Sequence, residues 1–196
     1  MRKKEPLSIL LNSNVEEKIY TASLGYSFGS KVEMSLGLGR GAVDLEQDFT
    51  NDFILANDVF LYGGRAEQLE VKLDTRIFVG NSFSFLFSAI GSRSTHQLGI
   101  FDTTYLWYLE STRKADTILG SIGIGNQWAF DSGLILGLDW AIYSRPVVSK
   151  DSVSYVSSGL GENQISNLNV ALTDWLNRIA EPKDIISYAI NIGFRF

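Results

Sequence analysis

Val32-Glu-Met-Ser-Leu-Gly-Leu-Gly39 is a stretch in which every second residue is large and apolar. In an extended chain the side chains alternate between two faces, so the large residues share one face and the small or charged residues share the other. A helix would scatter both sets around its axis, because its side chains repeat every 3.6 residues. The stretch therefore predicts a β-strand with two unlike faces. The residues on its apolar face are Val32, Met34, Leu36 and Leu38.

Six further stretches of the 196-residue chain show the same alternation. Three short segments between them, 29–31, 80–82 and 131–133, are built from residues that suit tight hairpin turns. The other connections are long and polar and cover roughly 46–66, 92–116 and 147–183. Short connections at one end and long loops at the other are typical of barrels of the outer-membrane type.

Strand parity requires one strand more than the seven clear segments. Bacterial single-chain barrels have an even number of strands, and residues 2–11 are the segment left to supply the first one, with Asn12-Ser13-Asn14 as an extracellular turn. We therefore predict an all-β fold, an eight-stranded antiparallel up-and-down barrel that forms a single domain over residues 1–196. The predicted strands cover about 3–11, 17–29, 31–45, 67–80, 83–92, 116–130, 134–146 and 184–196.

The sizes of the side chains decide which face meets lipid. Hydrophobic residues make up 45% of the chain, and no apolar run is long enough for a membrane-spanning helix. A soluble barrel of the lipocalin kind would keep long polar side chains outside, but here the polar face is mostly Gly, Ser and Ala. Small residues suit a narrow lumen filled by side chains. The large apolar face is therefore expected to point outward into a bilayer.

Composition excludes several other classes of function. The chain has no cysteine, so we expect neither disulfides nor thiolate metal sites, and we predict no metal and no cofactor. A net charge of −5 does not favour nucleic-acid binding, which needs a basic surface. The N-terminus begins like a signal peptide, but its apolar stretch Leu7–Leu11 is too short for one. We expect a form from which a leader has been removed.

The C-terminal stretch Tyr188-Ala-Ile-Asn-Ile-Gly-Phe-Arg-Phe196 resembles the last strand of bacterial outer-membrane proteins. With the alternating segments, the chain is similar to the small OmpA/OmpX/OmpW-like barrels, from which it departs in the long 147–183 segment. The resemblance implies a location in the outer membrane of a Gram-negative bacterium, with lipid and lipopolysaccharide as neighbours. It also implies recognition by the barrel-assembly machinery through the strand that ends at Phe196. That group shares no single activity, so the resemblance implies no function.

Charged residues occur on the face that is predicted to line the lumen. Opposite charges in a narrow barrel are first interpreted as a structural network, because each buried charge needs a partner. Proton or ion conduction is the alternative interpretation, although eight strands leave no continuous aqueous pore. The predicted network consists of Glu33, Glu70, Lys72, Asp74, Arg76, Asp139 and Arg195.

His96 is the single histidine of the chain and is predicted to lie at the extracellular end of the predicted strand 83–92. Lipid A-modifying barrels use a histidine as general base beside a serine, and Ser94 and Asp102 lie close by in sequence. The His-x-Ser order of the deacylases is missing, since His96 is followed by Gln97 and Leu98. A solvated loop histidine is the favoured interpretation, and His96 and Ser94 are weak catalytic candidates.

Residues 163–180 repeat apolar side chains at helical spacing, and Pro182 ends the pattern. We predict an amphipathic loop helix that caps the barrel mouth or packs on other loops, lies in the outer-leaflet interface, or docks a partner. Its apolar stripe consists of Ile165, Leu168, Leu172, Trp175, Leu176 and Ile179.

The function favoured by these patterns is a non-enzymatic surface role. The barrel would present extracellular loops to a ligand, a host or a neighbouring protein that the sequence does not identify. A lipid A-modifying enzyme is the first alternative, and a conduit for small or hydrophobic solutes is the second.

Overall fold

The computed structural model describes residues 6–14, 18–44, 59–102, 107–159, 161, 170, 173–174 and 184–196. Its strands pair antiparallel in chain order, and the first pairs with the last, so the sheet closes into a barrel. Closure satisfies the backbone groups that hydrocarbon would leave without partners. The predicted eight-stranded up-and-down barrel is confirmed. The strands are β1 (Leu7–Asn14), β2 (Ile19–Phe28), β3 (Val32–Asp44), β4 (Val59–Phe78), β5 (Phe83–Asp102), β6 (Trp107–Ala129), β7 (Leu134–Ser158) and β8 (Ile185–Arg195).

The first strand exists, but its predicted bounds were wrong. It extends to Asn14, so Asn12-Ser13-Asn14 belongs to β1 and is not a turn. Pairing on both sides explains the shift, since Asn12 lies opposite Thr21 of β2 and Asn191 of β8. The three short hairpin turns lie where they were predicted. Two of them contain a glycine in the left-handed region, with φ of 72° at Gly29 and 84° at Gly133.

Strands β4 to β7 are much longer than predicted. Parts of the three segments expected to be loops, 46–66, 92–116 and 147–183, continue as strands. The ladder between β5 and β6, for example, runs without a break from Phe83 and Asn126 to Asp102 and Trp107. About 9–11 residues suffice to cross a bilayer, so the strands continue beyond it. We call this part the extracellular extension, and it consists of residues 59–66, 93–102, 107–116 and 150–158.

In the membrane-spanning part, the inner and outer faces of the strands carry different types of side chain, as the alternation predicted. On β3, Leu36 and Leu38 are 57% and 67% exposed, whereas Glu33, on the other face of the strand, is buried. The exposed residues form an apolar band around the barrel that is suited to lipid. At its extracellular edge the outward side chains become polar along one row of paired residues, in which Arg40, Arg93, Asp116 and Lys150 are charged and Leu69 is the apolar exception.

One face assignment on β7 was wrong. The alternation that begins at Leu134 predicts Ile142 on the lipid face and Tyr143 on the inner face, but Ile142 is 5% exposed and Tyr143 is 37% exposed. A register shift against β8 between Asp139 and Ile142 explains the exchange. The extra residue of a β-bulge reverses the alternation beyond it. Ile142 consequently packs inside with Leu86 and Ala189.

The amphipathic helix over 163–180 stays a prediction. All six residues of its apolar stripe lie outside the described residues. Three isolated positions within the segment, Val170, Thr173 and Asp174, are helical. None of the helical residues that the structure describes belongs to a helix long and apolar enough to span a membrane.

Candidate functional site

A bidentate ion pair joins opposite walls of the lumen. Arg76 on β4 donates from Nη1 and Nη2 to the two carboxylate oxygens of Asp139 on β7, at 2.7 and 2.8 Å. These strands are three positions apart in the ring of eight, so the contact crosses the interior. Asn191 also donates to Asp139, at 2.8 Å, and Arg76 donates to Ser84, at 3.0 Å. Both charges are buried, and both are paired and hydrogen-bonded, as buried charges must be.

Glu33 is the centre of a second cluster at the same level of the barrel. Its Oε2 accepts from Nη2 of Arg195 at 3.0 Å and from Nε2 of Gln127 at 3.3 Å. Both donors lie on strands three positions away from β3, so these contacts also cross the lumen. Ser8 and Ser27 add hydrogen bonds to the same carboxylate at 3.5 Å.

The other predicted lumen charges form smaller groups. Lys72 lies 3.3 Å from Asp74, which also accepts a short hydrogen bond from Ser88. Glu70 accepts from the Thr21 hydroxyl at 2.7 Å and contacts none of the other six predicted charges in the bonds described. The structure therefore brings six of the seven residues into three pairs and places Glu70 apart from them.

Inward glycines make room for these charged side chains. A Cβ at Gly125 would overlap the carboxylate of Asp139 and would lie 2.7 Å from the carbonyl oxygen of Leu138. A Cβ at Gly39 would lie 2.5 Å from Cγ of Glu70. The glycines that suggested a narrow lumen thus mark the positions where a charged neighbour fills the space.

The uncharged partners of this network were not singled out in the sequence. Gln127, Asn191, Ser84, Thr21 and Ser8 all lie on the predicted inner face, but alternation alone does not say which of them meets a charge. The register between strands would have been needed. Register depends on pairing across the barrel, which no local pattern encodes.

His96 lies on the inner face of β5 within the extracellular extension, directly opposite Arg113 on β6. Its Nδ1 is buried, with no hydrogen-bond partner in the part of the chain that is described. Burial, and then the positive charge of Arg113, lower the pKa of His96 from its ordinary value of 6.5. The imidazole is therefore neutral near pH 7. The solvated loop histidine expected from the sequence is corrected to a partly buried residue of a strand.

Ser94 precedes His96 by two residues on the same face of β5, and both are half-buried. Within the described residues no hydrogen bond joins Ser94 to His96, so the pair lacks the contact through which a histidine activates a serine. Asp102 ends β5, and its side chain lies outside the described residues. No group of three or more potential ligands for a metal ion occurs in the described ranges.

The inner face of the extracellular extension holds an apolar cluster that sequence reasoning missed. Leu98, Ile100 and Leu109 are each at most 1% exposed, and Arg113 beside them donates to Asp151 at 3.0–3.1 Å. The segments looked like loops because polar residues occur on both faces of β6 there. Apolar residues at every second position of β5, Leu98 and Ile100, were the only available signal.

The architecture has counterparts among solved structures. No protein-family model matches the chain, and no curated protein matches it. The crystal structure of Acinetobacter baumannii CarO is similar over 97% of this chain and 98% of its own, with a TM-score of 0.51 and 11% identity. CarO2 from the same organism is similar over 98% of this chain and 99% of its own, with a TM-score of 0.53 and 13% identity. A major outer membrane protein from Thermus thermophilus is similar over 98% of this chain and 100% of its own, with a TM-score of 0.57 and 12% identity.

Identities of 11–13% show a shared fold and nothing finer. The grouping with OmpA, OmpX and OmpW stays a prediction. The closed ring, the apolar exterior and the charged interior are the arrangement that a bilayer requires of a β-sheet. The chain is a β-barrel of the bacterial outer membrane.

Proposed function

We propose that this protein is a surface scaffold that binds an extended polypeptide segment at the edge of its extracellular extension. The observation that carries the proposal is a strand edge on β7 whose outer part, residues 152–158, carries no charge. β7 pairs with β6 as far as Ser158, but its pairing with β8 ends at Ser144. Beyond Ser144 the described residues place no strand on the other side of β7.

The composition of that edge favours strand addition. Residues 152–158 contain neither a charge nor a proline, and Tyr155 and Val156 are 50% and 61% exposed. Edge strands are usually protected by charges, prolines or bulges, because their open backbone groups are a template for another strand. Partners that add a strand gain main-chain hydrogen bonds, and side-chain contacts provide specificity.

The lumen supports a scaffold better than a conduit. Three contacts cross the barrel at one level, between Arg76 and Asp139 and from Glu33 to Arg195 and Gln127. A solute would have to separate buried charge pairs, at a cost of several kcal/mol for each pair that is broken. Purified barrel in planar bilayers should therefore show no steady single-channel conductance.

The strand-edge proposal is tested by site-specific photo-crosslinking on living cells of the native organism. A photo-reactive phenylalanine at Val156 should give one discrete polypeptide adduct, and the same probe at Val147, within the apolar band, should not. Ser154→Lys should remove the adduct, because a charge on an edge strand opposes addition of another strand. Thr112→Lys is the matched control, since Thr112 lies directly opposite Ser154 on β6, a strand paired on both sides.

The captured polypeptide, purified, should bind the barrel in lipid nanodiscs with the same dependence on Ser154. Absence of an adduct at Val156, or an adduct that Ser154→Lys leaves unchanged, would contradict the proposal. The enzyme alternative has its own test. His96→Ala should leave the lipid A profile of expressing cells unchanged in mass spectrometry, and an acyl chain whose loss depends on His96 would put the enzyme first.

A further inference from the structure

Two adjoining cavities lie on the outer surface of the barrel at the extracellular edge of the apolar band. The lower one, of about 730 Å³, has apolar walls that include Val71, Ile118 and Val148. Gly91 opens this cavity, because nothing lies within 4 Å of the position that a Cβ would occupy there. The upper one, of about 400 Å³, is polar. The cavities share Arg93, Asp116 and Lys150, so together they form one groove with an apolar lower half and a charged upper half.

The upper half of the groove carries an excess of positive charge. Arg93, Lys114 and Lys150 contribute three positive charges against the one negative charge of Asp116, which leaves +2. Asp151 also lines the groove, but it is bound by Arg113 at 3.0 Å. The whole chain has a net charge of −5, so this patch opposes the overall sign of the protein. An anionic ligand fits it.

The cations are held on paired strands and not on loops. Arg93, Asp116 and Lys150 are direct partners across β5, β6 and β7, and Lys114 lies in the next outward row. Asp116 holds the guanidinium of Arg93 through Nε at 2.7 Å and Nη2 at 3.2 Å, and Nη1 remains outside that fork. In the described part of the chain, neither Lys114 nor Lys150 forms an ion pair within 4.0 Å. Groups fixed on strands make a more precise site than groups on loops.

The position of the groove relative to the apolar band indicates which kind of ligand it binds. The row of Arg93, Asp116 and Lys150 lies where the outward side chains change from apolar to polar, which is the level of the lipid headgroups. A ligand that fits the groove therefore carries a hydrocarbon part, which faces the apolar lower half, and a negative charge, which faces the basic upper half. We propose that the groove binds one molecule of lipid A, with a phosphate at Arg93, Lys114 and Lys150 and an acyl chain over Gly91. Arginine and lysine together suit a phosphate, because Nη1 of Arg93 lies outside the fork that Asp116 occupies and each lysine acts as a point charge.

Native mass spectrometry of the detergent-purified barrel tests this site with three ligands. These are bis-phosphorylated lipid A, the same lipid A after removal of its phosphates, and inorganic phosphate. We expect one tightly retained lipid A and much weaker binding of the dephosphorylated form. Charge neutralisation in Lys114→Gln/Lys150→Gln should weaken lipid A binding about 30-fold, since each of the two basic residues near an anionic surface contributes roughly 1 kcal/mol.

The matched control is Arg40→Gln/Arg65→Gln, which removes two cations from the same outer belt at a site where Glu67 already accompanies them. It should bind lipid A as the unmodified protein does. Gly91→Trp should fill the apolar half and weaken binding while all the cations remain. A difference in gel migration between unheated and boiled samples shows that each variant is folded.

Three results would overturn the proposal. They are equal lipid A binding by the lysine variant and its control, equal binding of phosphorylated and dephosphorylated lipid A, and binding of inorganic phosphate as tight as that of lipid A. The last result would show a phosphate site that makes no use of the apolar half. None of these outcomes bears on the edge of β7, so this site and the proposed strand addition fail or succeed separately.

Discussion

Below the row of Arg93, Asp116 and Lys150 the barrel buries charges and exposes leucines, whereas above it the extracellular extension buries leucines and exposes charges. Leu36 in the lower region is 57% exposed and Asp139 is 2% exposed. In the upper region Leu98 is fully buried, and the side chain of Arg93 is 69% exposed. β5 passes through both regions with the same inward and outward alternation.

The surroundings of the strand therefore decide which residue type suits each face. In the membrane the outside is hydrocarbon, so apolar side chains are stable there and polar ones gather in the lumen. Above the membrane the outside is water, so burial on the inner face stabilises apolar side chains such as Leu98. The residue types on the two faces of one continuous sheet therefore exchange at the level of the headgroups, because the outer face meets hydrocarbon below that level and water above it.

The largest expected effect comes from breaking the buried ion pair of the lower region. Arg76→Met should lower the free energy of unfolding by about 3–5 kcal/mol, because it leaves Asp139 buried without its cation. Urea titration in lipid vesicles, followed by tryptophan fluorescence, measures the change. Arg93→Met is the control in the upper region and should have little effect, because that pair is exposed to water. Similar losses in the two variants would show that the lumen is not shielded from water.

Placing a charge on the outer, lipid-facing side of the barrel is expected to have the next largest effect on stability. Leu36→Arg should cost about 2–4 kcal/mol if the residue lies near the bilayer midplane. Thr95→Arg, on the outer face of β5 above the membrane, should leave stability nearly unchanged. The same urea titrations compare the two. If Thr95→Arg were as costly as Leu36→Arg, the edge of the apolar band would lie higher than the row of Arg93.

Truncating a buried leucine in the extension should have a smaller effect on stability, and the effect should be local. Leu98→Ala should destabilise the extension by about 2 kcal/mol, near the lower end for a buried leucine, since a thin sheet relaxes around a cavity more easily than a closed core. Hydrogen exchange should speed up in residues 95–102 and 107–115 while the amides of β1 and β8 stay protected. Faster exchange throughout the barrel would contradict independent stability of the two regions.

The smallest effect concerns His96, whose pKa is lowered by burial and by Arg113. As the pH falls below 6.5, the unfolded extension takes up a proton before the folded one, so the stability of the extension should decrease. NMR titration is unambiguous, because the chain has one histidine. Arg113→Gln should move the pKa back toward 6.5. A folded pKa above 6.5 would reverse the predicted pH dependence.

Sequence alone sufficed for the closed eight-stranded barrel and for the direction of most side chains in the membrane. The reason is that lipid outside and a crowded lumen inside leave one stable arrangement for a strand such as 32–39. It also placed all seven lumen charges on the inner face. It failed at Ile142, where a bulge adds a residue without a local signal, and along 92–116, where polar residues on both faces conceal the strands.

Apart from residues beyond the bulge, such as Ile142, the alternation within single strands is enough to tell which residues face lipid and which face the lumen, because the two faces of a strand meet unlike surroundings. The contacts of Arg76 with Asp139 and of Glu33 with Arg195 arise only in the folded barrel, as does the groove that Arg93, Lys114 and Lys150 surround. These partners are 63 and 162 residues apart in the two ion pairs. Their meeting depends on register and on closure of the ring, which are properties of paired strands and of no single segment.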